Sequence, residues 1–434
     1  MKLKLIGWIA LALLVLLLLV PFLIPMQTYQ RQIEQVASAK LGVPVTIQSL
    51  HIAMLPSPRA NMGGIVVGSG AEITVADISA VLDVATLFDK VRVISRLEIR
   101  QPVIKQAALP LIQGIKLSNE TTLVVRRIHV NEAQLEWQGL NLPTLNAEVA
   151  MSDAGKLEQA LIKSADDKLM IEATPKDDGY VAHIKAKQWT MPVGLPVLFD
   201  TLESDIGYKA QTLEVSNLNA ALYHGKLNLS GRLDWRKGWH LQGKFNTQAI
   251  AVGDASKIIA KKAKLSGQIS GEGSFSSQAK EAGRLLETLG VDYKFSIANG
   301  VLHGLDLVKA ASLLIKQAQS GGETQFDELS GVLKARGKQI ELHQIKVSSG
   351  LLEATGDVKV TPDKTLSGKI EAALKQSLSV VAVPLEVSGT LDSPSVKPTK
   401  AALIGAVAGT AMLGPAGTAL GIKAAGALDK LFGN

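Results

Sequence analysis

From Val43 onward, the chain alternates apolar and polar residues with a period of two. In the clearest stretch, Ala221 to Arg236, the odd positions are apolar or small, and the even positions from Lys226 onward are polar. Because successive side chains of a β-strand point to opposite faces of a sheet, a strand with this pattern has one apolar and one polar face. The alternation therefore predicts a mostly β protein built from half-buried strands.

The same alternation recurs along the chain together with a loose repeat. Further alternating stretches are 97–99, 135–137, 291–297 and 383–391. Three repeats, which begin at Asn219, Asn299 and Ser349, place small residues between short apolar steps. Strands in series with such turns are typical of antiparallel hairpins. We therefore predict one long antiparallel sheet, although a two-sheet sandwich would show similar patterning.

Only a few segments have helical periodicity. The first is the amphipathic stretch Thr28 to Leu41, whose apolar positions are Tyr29, Ile33, Val36 and Ala37. The other segments, Ser256 to Lys264, Ala279 to Leu289 and Leu305 to Gln319, lie in the middle third. We therefore place a boundary near residue 250, between an N-terminal β region (26–250) and a C-terminal one (251–398) with short helices.

Residues 5–25 form an unbroken run without a charged side chain. About 20 apolar residues at roughly 1.5 Å each match a hydrocarbon core of about 30 Å. Bulky residues follow the run where a signal peptidase would need small ones, so we expect residues 1–25 to form an uncleaved transmembrane anchor. Its membrane-facing candidates are Leu5, Trp8, Leu14, Leu19 and Phe22.

The basic residues around this run predict its orientation. Lys2 and Lys4 precede it, and the first basic residue beyond it is Arg31, so the positive-inside rule places the N-terminus in the cytoplasm. The rest of the chain would then be periplasmic, in the inner membrane of a bacterium with two membranes. There the net charge of +7 does not indicate nucleic acid; it indicates a solvated surface or attraction to anionic lipid head groups.

The C-terminal segment 399–434 has a different composition. Ala401 to Leu428 is almost wholly small and aliphatic, and Gly414-Pro415 breaks it into two helices too short to span a bilayer. The spacings Gly405/Gly409 and Gly417/Gly421 allow close helix approach. We predict a helical hairpin, which would cap the end of the sheet, insert into a membrane surface or dock on a membrane partner.

Nothing in the sequence points to catalysis. The chain has no cysteine, and its seven histidines are scattered without metal-ligand spacing. The carboxylate pairs Glu203/Asp205 and Asp153/Glu158 are better explained as solvated surface groups. We therefore expect neither catalytic residues nor a metal or cofactor, and we do not expect an enzyme.

Several segments together resemble the AsmA family of inner-membrane-anchored periplasmic proteins. The N-terminal likeness rests on the apolar run and on 35–47, 55–58 and 93–104. The C-terminal likeness rests on 326–331, 350–358 and 384–394. These segments occur in a specific order and cover roughly residues 1–110 and 290–398, and the region between them is joined by its pattern alone.

The resemblance implies a chorein-like, taco-shaped β groove that carries phospholipid acyl chains between the inner and outer membranes, or that supports outer-membrane biogenesis. The apolar positions of the strands would line such a groove, and our candidates are Leu97, Ile99, Leu227, Leu229, Leu233, Val383, Leu385 and Val387. The alternative is a scaffold that assists outer-membrane protein assembly by binding an outer-membrane or periplasmic partner through sheet edges and the glycine-rich tail.

Overall fold

The structure is a computed structural model that describes residues 26–54, 57–86, 89–108, 111, 123–137, 140–192, 195–258, 265–312, 319–375 and 382–432. The predicted anchor, residues 1–25, lies outside these ranges, and so do Leu5, Trp8, Leu14, Leu19 and Phe22. Within the ranges, every helix is too short or too polar to cross a membrane.

The described chain consists mainly of strands, which confirms the prediction of a mostly β protein. The strands are β1 (Val45–Ala53), β2 (Arg59–Val67), β3 (Ile73–Leu82), β4 (Arg92–Lys105), β5 (Leu123–Val125), β6 (Arg127–Glu136), β7 (Leu145–Met151), β8 (Leu157–Ser164), β9 (Leu169–Lys176), β10 (Gly179–Thr190), β11 (Leu198–Lys209), β12 (Thr212–Leu222), β13 (Gly225–Asp234), β14 (Trp239–Ala251), β15 (Gln268–Ala279), β16 (Gly290–His303), β17 (Gln319–Ser320), β18 (Glu323–Arg336), β19 (Gln339–Ser348), β20 (Leu352–Val360), β21 (Leu366–Leu374), β22 (Ala382–Gly389) and β23 (Pro394–Pro398). The helices are α1 (Met26–Leu41), α2 (Val252–Ser256), α3 (Leu307–Ala311) and α4 (Lys400–Phe432).

The short helices agree only in part with their predictions. The helix α1 confirms the first one, and α3 occupies part of the segment predicted from Leu305. The helix predicted from Ser256 is displaced, because α2 ends at that residue, and residues 259–264 lie outside the described ranges. The helix predicted from Ala279 to Leu289 is wrong: β15 continues to Ala279, and only a 3₁₀ turn over Ala282–Arg284 follows.

A side-chain hydroxyl takes the place of the helical hydrogen bond in that segment. The Ser277 hydroxyl donates to the carbonyl oxygen of Leu285 at 2.7 Å and lies 2.7 Å from the Thr288 hydroxyl. Such side-chain bonds offer the backbone an alternative to a further turn of helix. The chain therefore turns directly from β15 into β16.

The chain divides into two compact units between Ala186 and Lys187. We call residues up to Ala186 unit 1 and residues from Lys187 unit 2. This division differs from the predicted boundary near residue 250. The physical reason is that β14 and β15, which flank residue 250, pair directly with each other from Trp239↔Ala279 to Ala251↔Gln268.

The sheet of unit 1 contains β1, β2, β3, β4, β6, β7, β8, β9 and β10, each paired with the next. All these pairs are antiparallel except β4–β6, which is parallel, as is the short pair β4–β5. A parallel pair needs a crossover of a dozen or more residues. The chain between Lys105 and Leu123 is long enough for it, so the prediction of consecutive hairpins does not hold there.

Helix α1 covers the edge of β1 that does not face β2. Three polar side chains on one face of α1 reach the backbone of this strand. Gln30 Nε2 donates to the carbonyl oxygen of Ile47 at 2.5 Å, Glu34 Oε1 accepts from the Ile47 N–H at 2.7 Å, and Ser38 Oγ accepts from the Val45 N–H at 2.8 Å. Because an unpaired strand edge invites further strands to add, this contact protects the end of the sheet.

The polar contact leaves the apolar stripe of α1 on the outside. Tyr29, Ile33 and Val36 are 49%, 38% and 58% exposed. Ala37 and Leu41 pack against the cluster formed by Val45, Ile47, Ile65, Val67 and Val75. The amphipathic pattern predicted the helix correctly, but most of its apolar side faces away from the sheet.

In unit 2, consecutive strands from β11 to β16 and from β18 to β23 pair in antiparallel order, and β16 pairs with β18. The short β17 pairs with β23. Helix α3 packs on β18, β21, β22 and β23, and α4 packs on β22. The C-terminal strands of this sheet thus have helices beside them.

We predict that Glu34→Ala exposes the edge of β1. The Ile47 N–H would lose a charged acceptor, and such a bond contributes about 1.5–3 kcal/mol, so amide exchange in β1 should accelerate by about tenfold or more. Hydrogen–deuterium exchange on the full-length protein measures this. Tyr29→Ala is the control, because that side chain lies on the opposite, exposed side of α1. Equal protection of β1 in both variants would contradict the proposed role of α1.

Candidate functional site

Strand register places one apolar residue from each strand of unit 1 except β5 in a single row. We call it row A. Its members, in pairing order, are Leu50, Met62, Ile78, Ile99, Val130, Ala147, Ile162, Ile171 and Ile184. Neighbouring strands are about 4.8 Å apart, so nine strands extend over roughly 40 Å. Row A is therefore an uninterrupted apolar stripe across the sheet.

A second apolar row lies beside it on the same face. We call it row B, and it consists of Ile52, Ala60, Ala80, Leu97, Ile128, Val149, Ala160, Ala173 and Ala182. Two of the predicted groove residues, Ile99 and Leu97, thus lie side by side, one in each row. Row B contains more alanine than row A, so its side chains extend less far from the sheet.

Apart from α1 beside β1, no described helix or second sheet makes an extensive contact with the strands of rows A and B, although Met62, Ile78 and Ile99 pack against the buried cluster that α1 also contacts. Sixteen of the eighteen side chains are half-buried, and only Leu50 and Ala80 are buried. Intermediate exposure is expected for a side chain with neighbours in its own sheet and nothing packed above it. The helical residues described in unit 1 belong to α1, which lies at the β1 edge, to two 3₁₀ turns and to the single residue Leu111. An apolar face of this extent is rare on a soluble protein unless it binds something.

The opposite face of the same strands is polar. The row between A and B contains His51, Asn61, Ser79, Glu98, His129, Glu148, Leu161, Glu172 and His183. Three of the seven histidines of the chain are in this row. The two faces of unit 1 therefore differ as the period-two pattern requires.

Unit 2 has a comparable row, which we call row C. Its members are Leu229, Phe245, Gly273, Tyr293, Leu333, Leu342, Val358, Gly368 and Val387. The row continues to Leu218 on β12 and to Val396 on β23, so the predicted groove residues Leu229 and Val387 lie near its two ends. Leu227 and Leu233 flank Leu229 on the same face of β13, while Val383 and Leu385 precede Val387 on β22.

The two ends of row C have different surroundings. Leu227, Leu229 and Leu233 are half-buried on an open part of the sheet. Val383, Leu385 and Val387 are 2%, 0% and 3% exposed, and they belong to a closed core with Leu307, Ala310 and Ala311 of α3. The C-terminal three side chains thus pack against protein in this structure, and their predicted contact with lipid stays a prediction.

Helix α3 is held over this core by buried hydrogen bonds. The Thr324 hydroxyl, 1% exposed, accepts from the Leu307 N–H at 2.9 Å and donates to the Leu305 carbonyl oxygen at 2.8 Å. Asp306 caps the helix by accepting from the Lys309 N–H at 2.8 Å. These contacts fix α3 as the cover of the C-terminal strands.

Aromatic rings lie flat over glycines in the middle of unit 2. The ring of Phe245 stands 6.5 Å from that of Phe275 and 5.3 Å from that of Tyr293, measured between centroids. A Cβ on Gly273 would lie 2.6 Å from the Phe245 ring, and one on Gly243 would overlap the Phe275 ring. Glycine on one strand thus lets a ring of the next strand cover it.

Tyr293 carries the polar side-chain atom of the aromatic cluster formed by Phe245, Phe275 and Tyr293. Its hydroxyl lies 2.5 Å from the Thr247 hydroxyl. Burial raises the pKa of Tyr293, and the hydrogen bond with Thr247 partly offsets that rise. The phenol therefore stays neutral at physiological pH, and the aromatic cluster presents an uncharged surface.

Two carboxylates with a strongly lowered pKa lie on the polar face of unit 2. Hydrogen bonds from Lys359, Gln339 and His343 lower the pKa of Glu341 to about 2. A hydrogen bond from Arg236 likewise lowers the pKa of Asp234 to about 2. The contacts Lys359–Glu341 and Arg236–Asp234 are surface ion pairs, and none of their residues belongs to rows A, B or C. A surface depression of about 730 Å³ is lined by polar residues such as Asn228, Lys244 and Glu272 together with row C residues such as Leu229 and Phe245.

Within the described ranges, no group of three histidine, aspartate or glutamate side chains is positioned to hold a metal ion. The carboxylates Glu203 and Asp205 both lie on β11, where their side chains are exposed. The chemistry that the described site offers is therefore apolar contact.

Sequence reasoning identified five half-buried members of this apolar surface and missed most of the others. Ile162 illustrates why, because Leu161 beside it is equally apolar and the pattern cannot say which of the two faces the rows. Only the pairing Ile162↔Ile171 assigns the face. A usable signal was present at Ile171, whose neighbour Glu172 is charged.

Comparisons with known proteins give no relative: no family model, no curated protein and no solved structure matches this chain. The description of the fold and of the apolar rows therefore rests on the structure alone, and the resemblance to the AsmA family stays a prediction.

We predict that Gly243→Ala destabilises unit 2 by about 1–3 kcal/mol, because the added methyl would overpack the Phe275 ring and the Ser230 carbonyl. Gly283→Ala is the matched control, since a Cβ there meets nothing within 4 Å. Chemical denaturation of the full-length protein, followed by tryptophan fluorescence, measures both. Equal midpoints for the two variants would show that the ring does not lie over Gly243.

Proposed function

We propose that this chain is a non-enzymatic lipid-binding protein that holds phospholipid acyl chains along its apolar sheet faces. The observation that carries the proposal is the pair of rows A and B, in which all eighteen positions over nine strands are apolar and, apart from α1 beside β1, no described helix or second sheet makes an extensive contact with them. A protein that exposed such a surface to water without a ligand would aggregate.

The chemistry of the rows indicates acyl chains and not head groups. The side chains of rows A and B are all apolar, so they can make van der Waals contacts with a ligand but cannot orient it by strong hydrogen bonds. Each methylene group removed from water contributes about 0.8 kcal/mol, and roughly ten of them would hold an acyl chain firmly. The phosphate of the same lipid would stay in water at the rim of the face.

The sequence supplies the remaining parts of the proposal. The uncharged run 5–25 and the lysines before it support an inner-membrane anchor with the sheet in the periplasm. The likeness to the AsmA family supports a curled groove that carries phospholipids between the inner and outer membranes. The half-buried side chains of Leu227, Leu229 and Leu233 would provide a further binding face within unit 2.

Site-specific photocrosslinking tests this proposal directly. A benzophenone amino acid at Ile171 should crosslink to phospholipid in the full-length protein, whereas the same group at Glu172, on the opposite face, should not. The pair Leu229 and Ser230 makes the same comparison in unit 2. Mass spectrometry of the adducts identifies the lipid.

A buried position provides a further control. Leu385, fully buried beside α3, should give no lipid adduct if that core is as closed as the structure shows. Lipid adducts at Glu172 as abundant as those at Ile171, or none at Ile171 and Leu229, would remove the proposal. We also expect Ile162→Asp combined with Ile171→Asp to lower bound lipid several-fold, because two carboxylates would have to be desolvated under the acyl chains.

A further inference from the structure

Helix α4 folds back on itself, as contacts between its two halves show. A straight helix would separate Gly405 from Gly421 by about 24 Å. Instead a Cβ on either glycine would overlap the backbone of the other, and the hydroxyls of Thr410 and Thr418 are 2.5 Å apart. The glycines predicted to allow close approach therefore do so within one hairpin, which we call the α4 hairpin.

One side of the α4 hairpin is fastened to the sheet of unit 2. Ala402 and Ile422, one from each half, are fully buried, and Gly426 approaches the Pro384 ring of β22. The Thr399 N–H donates to the Pro384 carbonyl oxygen at 3.0 Å, and the Thr399 hydroxyl accepts from the Ala402 N–H at 3.2 Å. The hairpin is thus attached at a defined position.

The other side of the α4 hairpin is the most exposed apolar surface of the described chain. Met412, Ile404, Val407 and Leu420 are 82%, 70%, 66% and 60% exposed, more than any other large apolar residue in the described ranges. Ala408, Ala411 and Ala424 lie exposed beside them. A helix pair that faces water presents polar residues on its outer side. The outer side of the α4 hairpin is apolar, as is the side that packs on unit 2, and this indicates that an apolar environment covers it.

The charges of the hairpin favour a lipid bilayer as that environment. The charged residues of α4 are Lys400, Lys423, Lys430 and Asp429, a net charge of +2, and Lys400 and Lys423 are exposed beside the apolar side chains. Lysines that flank an apolar surface suit anionic head groups, whose negative potential attracts them. A symmetric contact with a second copy would instead bring lysines of both copies to one interface.

We propose that the α4 hairpin inserts its exposed face into the surface of an anionic lipid bilayer. Each half is about 20 Å long, too short to cross a hydrocarbon core of about 30 Å, so the hairpin lies in the outer part of one leaflet. This contact involves an intact membrane. It is separate from the acyl-chain face proposed for rows A, B and C and from residues 1–25.

The absence of cysteine from the chain makes the test simple, because one introduced cysteine carries the only label. Met412→Cys is labelled with an environment-sensitive dye in the full-length protein, held in nanodiscs of phosphatidylcholine. Vesicles of phosphatidylcholine with or without phosphatidylglycerol are then added. We expect a blue shift and a rise in emission with the anionic vesicles, and quenching when their lipids carry bromine on the acyl chains.

Leu286→Cys is the matched labelling control, since Leu286 is an apolar residue of unit 2 that is 57% exposed. Its label should not respond. Adding Val407→Asp to the Met412 label should weaken vesicle binding at least about tenfold, because a carboxylate would enter the apolar layer. Replacing Lys400 and Lys423 by glutamine should weaken binding to anionic vesicles by about fivefold for each lysine.

Three results would overturn the proposal: no response at position 412, an equal response at position 286, or a response that depends on protein concentration and not on vesicles. The last would identify a second copy as the occupant. Failure here is distinguishable from failure of lipid carriage, because the crosslink at Ile171 does not involve the hairpin and should persist in Val407→Asp.

Discussion

The structure depends on the coupling between backbone pairing and side-chain direction in a β-sheet. Each strand of unit 1 must pair with its neighbours to satisfy its N–H and C=O groups, and this pairing sends every second side chain to the same face. A chain with period-two alternation therefore accumulates one apolar face as strands are added. The face grows with the number of strands, while the sheet supplies nothing to cover it.

Such a sheet leaves two kinds of surface open, the backbone edge of its first strand and its apolar face. One end of each unit shows how helices cover them. At the β1 edge, Gln30, Glu34 and Ser38 of α1 bind backbone groups that would otherwise attract another strand. Over the C-terminal strands of unit 2, α3 covers the apolar face and turns Leu385 and Val387 into core residues. Rows A and B have no such cover in the described structure, and this difference separates a packed core from a candidate binding face.

Particular residues show how far sequence reasoning reached. Leu97, Ile99, Leu227, Leu229 and Leu233 could be assigned to an apolar face because charged or small polar residues alternate with them. Ile162 could not, because its neighbour is also apolar. The parallel pair β4–β6 could not be predicted either, since the alternation is the same in parallel and antiparallel strands. The false helix from Ala279 to Leu289 arose because its spacing is helical, whereas the Ser277 hydroxyl captures a carbonyl that the helix would need.

By itself, the sequence determined that the chain forms strands with one apolar and one polar face, that α1 is amphipathic and that the tail is helical, because these properties follow from local periodicity. Only the tertiary structure decided which apolar residues share a row, which of them are covered and which way α1 and the α4 hairpin face. Those outcomes depend on register and packing between residues far apart in the chain, and a pattern read along one strand carries no information about its partner.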